Sequence, residues 1–548
     1  MKEPTQQQHR PGQGQQGQPP SQVQQAPPTP QGQPLSAVEG AQRASSSGNA
    51  AAATRTKPPP VDHTLSLPNW CSVGAYAAEG AQLYTRMTRS APGYKVYHNA
   101  FWHAHKWYAL VPPEQLLGPN DHSASEGLVP SNISDSAGPG GTTTTADNGP
   151  QPDDLEEGIS VNCALIRLPI ANISGFTDGL RSGFMPGTTL LVDFPFPAFP
   201  DHLGHWAEVM LPTFSVLLNG HWREDAIGTR GRFVDRIVLP NLRKEVNDWF
   251  KEVLALAVSP GVRRGGAPVP PIIDHADLDG FPKLSWLAFE NLLVVRDRYT
   301  HPDRKTGFIG ADHGDLWRYD GCARYVDKTW DVGFDDPQHA SAFRAAAYKR
   351  TALPQPLPWT PGSAPLPTLP GTPHILTFIM PHEDYPPLLN WQEVQTVLRR
   401  VASAHGLAAR TVTLSTDAPF ASHLDTFARS SVVVGRHGPL LATAALMAPG
   451  SAIFELLPYK WEWLGISRLY FNITQSAGDL HHFAWRPTDY RLAHYDHENY
   501  TRYRTWTPEE CSARECLMEL EALLSAKLPG IMAGQPVEEL RAPWPKAV

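Results

Sequence analysis

The residues best placed to do chemistry lie in VVVGRHGPLLATAALMAPGSAIFELLPY, residues 432–459. An apolar run ends at Gly435, a turn carries Arg436, His437 and Gly438, and Pro439 opens the next segment. Proline suits a first helical turn, where its missing N–H costs nothing. The spelling therefore predicts a buried strand, a tight turn and a helix. In a parallel α/β sheet such a turn sits at the carboxyl edge, where ligands bind. Free N–H groups at a helix start favour a phosphate, and Arg436 and His437 would add donors and charge. The next strand carries Glu455, whose carboxylate would accept hydrogen bonds from a ribose or sugar hydroxyl. An ordinary βα turn with an exposed histidine has the same pattern. Neither GxxxxGK[ST] nor GxGxxG is present, which excludes the standard P-loop and dinucleotide fingerprints.

A rival centre is IIDHADLDGF, residues 272–281, with Asp277 and Asp279 as an Asp-x-Asp pair beside Asp274 and His275. Such a pair can hold a divalent cation on a diphosphate. Short acidic triplets also arise in loops without any metal.

The elements that must position these residues follow from periodicity. Ile375–Met380, Thr411–Leu414, Val432–Val434 and Ala452–Leu457 are short strand-like runs. Between them, Trp391–Ala404 places Val394, Val397, Leu398 and Val401 on one helical face, and Phe420–Arg429 and Leu440–Met447 are two further helices. Strands alternating with helices imply a parallel sheet with right-handed crossovers. Apolar runs at 161–168, 189–194, 214–218 and 292–296 suggest a second α/β unit.

At 548 residues the chain is long enough for three to four domains at about 150 residues each. Residues 1–60 are Gln, Pro, Gly, Ser and Ala with few aliphatics, so disorder is expected. Residues 61–158 read as a partly ordered stem with a polar insert at 119–158. An acceptor-side domain is expected over 159–352, a Pro-rich linker over 353–373, a second domain over 374–530, and a tail over 531–548. The fold class is α/β, with two domains facing a ligand cleft.

Charge is 46 basic against 54 acidic, net -8, which argues against a general nucleic-acid binder. No apolar stretch is long enough for a membrane helix, and the Gln-rich start lacks a signal-peptide core. Five cysteines show no zinc spacing; Cys511 and Cys516 could form a short disulfide. Asn132, Asn172, Asn472 and Asn499 each head an Asn-x-Ser/Thr triplet, which points to a secretory lumen.

Strand, Gly-x-His-Gly, small-residue helix, Met-x-Pro-Gly-Ser, strand and Glu-Leu-x-Pro together resemble the hallmark of glycosyltransferase family 61. That family includes plant xylosyl- and arabinosyltransferases and animal protein O-linked N-acetylglucosaminyltransferases. The resemblance is close over 432–459 and loose over 375–431 and 202–218. It implies a GT-B fold of two Rossmann-like domains, and inverting transfer from a UDP-sugar to a glycan or glycoprotein hydroxyl. No metal or other cofactor is expected to be required. His437 and Gly438 would contact the pyrophosphate, with Arg436 alongside, and Glu455 the ribose. It also implies a Golgi or endoplasmic-reticulum lumen and an N-terminal membrane anchor, which this sequence does not show.

In DHLGHWAEVMLPTFSVLL, residues 201–218, the family's His-then-acid pattern falls on His205 and Glu208, one helical turn apart. An inverting transferase needs a base for the acceptor proton, and that role goes to Glu208 with His205 as partner. A surface glutamate beside a packed histidine is the plain alternative. Three departures stand out: residues 380–391 hold no arginine where the family places them, the turn reads His-Gly-Pro-Leu, and Thr443 replaces an asparagine. A non-catalytic nucleotide- or glycan-binding relative is thus one alternative, and a metal-dependent transferase using Asp277 and Asp279 the other.

Overall fold

Two sheets and the helices between them carry the candidate site. The computed structural model describes residues 71–72, 84–91, 94–103, 106–111, 166–169, 182–192, 202–225, 232–240, 246–263, 269–280, 286–295, 318–319, 322–323, 333–381 (except 357, 363–365, 367 and 370), 390–457, 469–486, 493–495, 509–511 and 514–544. All lie within one compact unit, Leu67–Val548. The disorder expected over 1–60 and the insert at 119–158 fall outside the described residues.

The first sheet takes strands from both the expected stem and the expected first domain. These are β1 (Cys71–Ser72), β2 (Arg86–Ala91), β3 (Tyr94–His103), β4 (Lys106–Val111), β5 (Ile166–Pro169), β6 (Ser182–Leu191), β7 (Val234–Leu239), β8 (Ile272–Asp274) and β9 (Trp286–Val295). The order is β5-β4-β3-β9-β6-β7-β8, with β1 on β6 and β2 on β3. Strand β3 runs antiparallel to β9 in register from Tyr94↔Val295 to Trp102↔Leu287. The stem therefore belongs to the sheet, and the boundary expected at 159 does not separate them. Parallel pairing is confined to the edge pair β4–β5 and to β9-β6-β7-β8, where crossover helices α1 (Leu203–Asn219) and α3 (Asp248–Val258) link β6 to β7 and β7 to β8. A single-turn α2 (Trp222–Asp225) follows α1, and α4 (His275–Asp279) follows β8. The first sheet is thus mixed rather than purely Rossmann-like. The apolar run at 214–218, expected in an α/β unit, is the end of α1, buried through Leu217 with Leu218 exposed.

After the short hairpin β10 (Arg318–Tyr319) and β11 (Cys322–Ala323) comes α5 (Pro337–Arg350). The second sheet is wholly parallel: β12 (Ile375–Pro381), β13 (Ala408–Leu414), β14 (Val432–Arg436), β15 (Ala452–Leu456) and β16 (His481–Trp485), in the order β13-β12-β14-β15-β16. Crossovers include α6 (Trp391–Ala404), α7 (Phe420–Ala428) and α8 (Leu469–Ala477). Strand order reverses between β12 and β14, the flavodoxin-like switch point at whose carboxyl edge ligands bind. The expected helix at 440–447 is a 3-10 helix, Pro439–Leu446. Its N–H groups reach back three residues, as from Leu441 to the Gly438 carbonyl at 3.1 Å.

One apolar core joins the facing sides of both sheets. It runs from Val96, Leu190, Ile237 and Leu293 through Trp206, Phe250 and Phe343 to Ile379, Val433 and Ile453. The other face of the second sheet packs Phe378, Val434 and Phe454 against α6 and α9 (Arg514–Met532). Beyond β17 (Ala493–Tyr495) and β18 (Glu509–Cys511), α9 and α10 (Val537–Leu540) bury Ile531 and Leu540, so 531–548 begins as part of the core rather than as a tail. Nor is 353–373 a spacer. Leu366 and Leu369 are buried, and the Gly362 N–H donates to the Gly534 carbonyl at 2.8 Å. Its leucines bury apolar area worth about 1.5–3 kcal/mol each, and this favours docking over extension. Among the described residues no helix is long and apolar enough to cross a membrane.

Candidate functional site

The Gly-Arg-His-Gly segment lies at the carboxyl edge of the central strand β14, as its spelling predicts. The His437 N–H donates to the Leu456 carbonyl at 2.8 Å, carrying the β14–β15 pairing one residue past the strand. Gly438 is extended and starts the 3-10 helix. Side chains alternate along a strand, so Gly435 and His437 share one face and Arg436 takes the opposite one with Val434. Arg436 and His437, expected to act together, thus start from opposite faces of the sheet.

Glu455 is not at the surface where a ribose could reach it: its exposure is 0%. In register it lies between Gly435 on β14 and Ala484 on β16. These two small neighbours leave room for longer side chains to arrive from either side. His437 Nδ1 pairs with one carboxylate oxygen, and His482 Nε2 pairs with the other at 2.7 Å. Burial alone would push the Glu455 carboxyl up. The charges and hydrogen bonds of His437 and His482 outweigh that, and hold it below the usual carboxylate range. The His482 ring also lies nearly parallel to Trp544 at 6.2 Å and edge-on to Phe471 at 5.6 Å.

The second pair sits in the first turns of α1. His202 caps the helix, its Nδ1 accepting the His205 N–H at 3.2 Å, and the two rings stack at 3.9 Å. His205 Nδ1 and Glu208 Oε1 are 3.0 Å apart. Glu208, expected to be the base, is 1% exposed, whereas the His205 side chain is 16% exposed. The imidazole is therefore the more accessible member of the pair.

Tyr470 on α8 lies between His437 and the first turn of α1. Its ring lies 4.9 Å from that of His437, and its hydroxyl would be 3.0 Å from a Cβ placed on Gly204, the residue before His205. Helix α1 packs on α8 and on the 3-10 helix, which holds that meeting point. Thr443 in the 3-10 helix is fully buried, and its hydroxyl has no hydrogen-bond partner among the described residues.

Asp277 and Asp279 do not converge. Asp277 and Asp274 form a reciprocal capping box at 3.0 and 3.1 Å, and Asp279 pairs with His275 at 2.8 Å. They sit on α4, next to the edge strand β8. Among the described residues, no three His, Cys, Asp or Glu side chains are grouped to hold a metal ion. Of the glycosylation candidates, Asn472 lies inside α8, and Ile473 and Thr474 of its triplet are fully buried. That is not the surface loop an acceptor triplet occupies. Asn132, Asn172 and Asn499 fall outside the described residues, as do residues 382–389, most of the arginine-free stretch, and the side chains of Cys511 and Cys516.

Three residues of this cluster escaped sequence reading: His202, Tyr470 and His482. His202 directly precedes a helix start and so occupied a recognisable cap position. Tyr470 and His482 carry no local motif; only the fold brings them in.

A scan against protein-family models and a search of curated proteins both found no match.

Proposed function

We propose that this chain transfers a sugar from a UDP-sugar to a glycan or glycoprotein hydroxyl, with inversion and in a GT-B-like arrangement of its two α/β halves. The observation that carries the reading is the placement of the Gly-Arg-His-Gly turn. It lies at the carboxyl edge beside the switch point of a parallel sheet, and Tyr470, whose ring lies against His437, reaches the backbone of α1 at Gly204, next to the carboxylate-backed His205.

On this reading the diphosphate meets His437 and the backbone at Gly438. The acceptor oxygen bonds to the anomeric carbon while the bond from that carbon to the diphosphate oxygen breaks, its electron pair leaving with UDP. The acceptor proton passes to the His205–Glu208 pair. The exposures make His205 the member that reaches the hydroxyl and Glu208 the one that orients it. A lumenal Golgi or endoplasmic-reticulum setting belongs to the same proposal. It rests on the family resemblance and on the triplets at Asn132, Asn172 and Asn499.

The test is UDP release by the full chain from UDP-xylose, UDP-arabinofuranose, UDP-N-acetylglucosamine and UDP-glucose, with glycan acceptors, with and without EDTA. Turnover with one donor, unchanged by EDTA and lost in His437→Ala, supports the proposal. Turnover abolished by EDTA and by Asp277→Ala would replace it with the metal-dependent reading. UDP binding without turnover across the panel would favour a non-catalytic binding protein, the reading motivated by the arginine-free stretch 380–391.

A further inference from the structure

A glutamate within a five-residue parallel strand whose other members are Ala, Ile, Phe and Leu, all buried, is costly unless it is paired. Glu455 has two partners, both histidines and both from neighbouring strands or their ends. It has no surface to offer a ligand. We propose that Glu455 is a positioning residue: it holds His437 by Nδ1 so that Nε2 addresses the diphosphate of the donor, with His482 steadying the second carboxylate oxygen. This rests on the nucleotide-sugar reading above and replaces the ribose contact expected of Glu455.

The chemistry requires this order of parts. A neutral imidazole donating from Nδ1 presents a lone pair at Nε2, which repels a phosphate oxygen. With a buried carboxylate against Nδ1–H, protonation of Nε2 gives an imidazolium whose charge Glu455 balances, and Nε2–H becomes a charge-assisted donor. Residues 380–391 supply no guanidinium to do this work. His482 ties the carboxylate from β16, two residues before Ala484 and on the same face, while its ring is walled by Phe471 and Trp544. Glu455 is therefore held at both oxygens, and the His437 ring cannot flip without losing its partner.

Calorimetric binding of UDP, uridine and inorganic pyrophosphate to the full chain separates the roles. Glu455→Gln is expected to weaken UDP and pyrophosphate by the same factor, about tenfold to a hundredfold, and to leave uridine unchanged. His482→Gln, which keeps the carboxylate, should give the same pattern with a smaller factor, and it serves if Glu455→Gln fails to fold. Nitrogen-15 histidine spectra of the pyrophosphate complex are expected to show both His437 nitrogens protonated, a signature lost in Glu455→Gln. Weakened UDP and uridine binding with pyrophosphate unaffected would overturn the proposal and restore the ribose contact, leaving the nucleotide-sugar reading intact. A wild-type chain that binds neither UDP nor pyrophosphate would overturn both. A deprotonated Nδ1 in the free protein would overturn the positioning role by itself.

Discussion

Two buried histidines that take no part in the candidate site should make the fold acid-labile in a defined window. His423 on α7 is 0% exposed, and His481 at the start of β16 is 1% exposed. Burial pushes each down from 6.5 to about 4, against the opposing pull of Asp248 near His423 and Glu538 near His481. The unfolded chain titrates them near its ordinary value, so below that pH it binds more protons than the folded protein does. Stability therefore rises with pH across this window, and on acidification it falls from about pH 6.5 until both sites charge near pH 4. At pH 5 the proton imbalance costs about 2 kcal/mol per histidine, or about 4 kcal/mol for the pair. That is a large share of a typical domain's 5–15 kcal/mol, roughly. The lowered Glu455 carboxyl adds stability that is lost only further down, as pH falls through its folded value, so it does not mimic this effect. The assay is urea unfolding followed by tryptophan fluorescence at pH 7, 6 and 5. A His423→Gln/His481→Gln double variant, whatever its stability at pH 7, should lose about 4 kcal/mol less than the parent between pH 7 and 5. Equal losses in parent and variant would refute the reasoning.

Other expectations follow from single contacts. His205→Gln should lower kcat by about 10²–10⁴-fold with UDP affinity unchanged, and Glu208→Gln should be milder; steady-state kinetics with calorimetry checks the order. Arg344, 3% exposed, makes a bidentate pair with Asp479 at 2.8 and 2.9 Å. Arg344→Met should cost about 3 kcal/mol in urea unfolding, somewhat less than a fully buried pair because Asp479 is part-exposed. Gly450 has φ +79°, and a Cβ there would lie 2.5 Å from Leu366 and 2.9 Å from Trp359. Gly450→Ala should therefore cost about 1–3 kcal/mol and expose the 353–373 segment to limited proteolysis. In a chain expressed through a secretory pathway, Asn472→Gln should change the intact mass by one added methylene and remove no glycan, measured by intact-mass spectrometry.

The parallel sheet was legible because its signals are local. Val394, Val397, Leu398 and Val401 mark a helical face, the strands between are short and apolar, and each is bounded by turn residues. The first sheet was less so. Strand β3 finds its partner β9 nearly two hundred residues later, and nothing in either strand announces the pairing. The Pro-rich segment misled for a different reason. Proline content speaks to backbone stiffness, whereas what docks 353–373 is the pair of leucines spaced within it.

Glu455 shows where a stricter reading of the same residues would have gone further. A parallel strand spelled AIFEL between two sheet neighbours has both faces covered, so its one carboxylate could not reach solvent by alternation alone. Such a group must be paired, and the histidines within reach of the strand ends were His437, His481 and His482. Alternation decides among them. His482 falls two residues before Ala484, which lies directly beside Glu455 in register, and His437 falls two after Gly435, which lies on its other side. His481 is out of phase and turns to the opposite face, where it meets Trp359 and Phe483 instead. The register needed for that last step comes only from the fold, but the demand for a buried partner was already written in the strand.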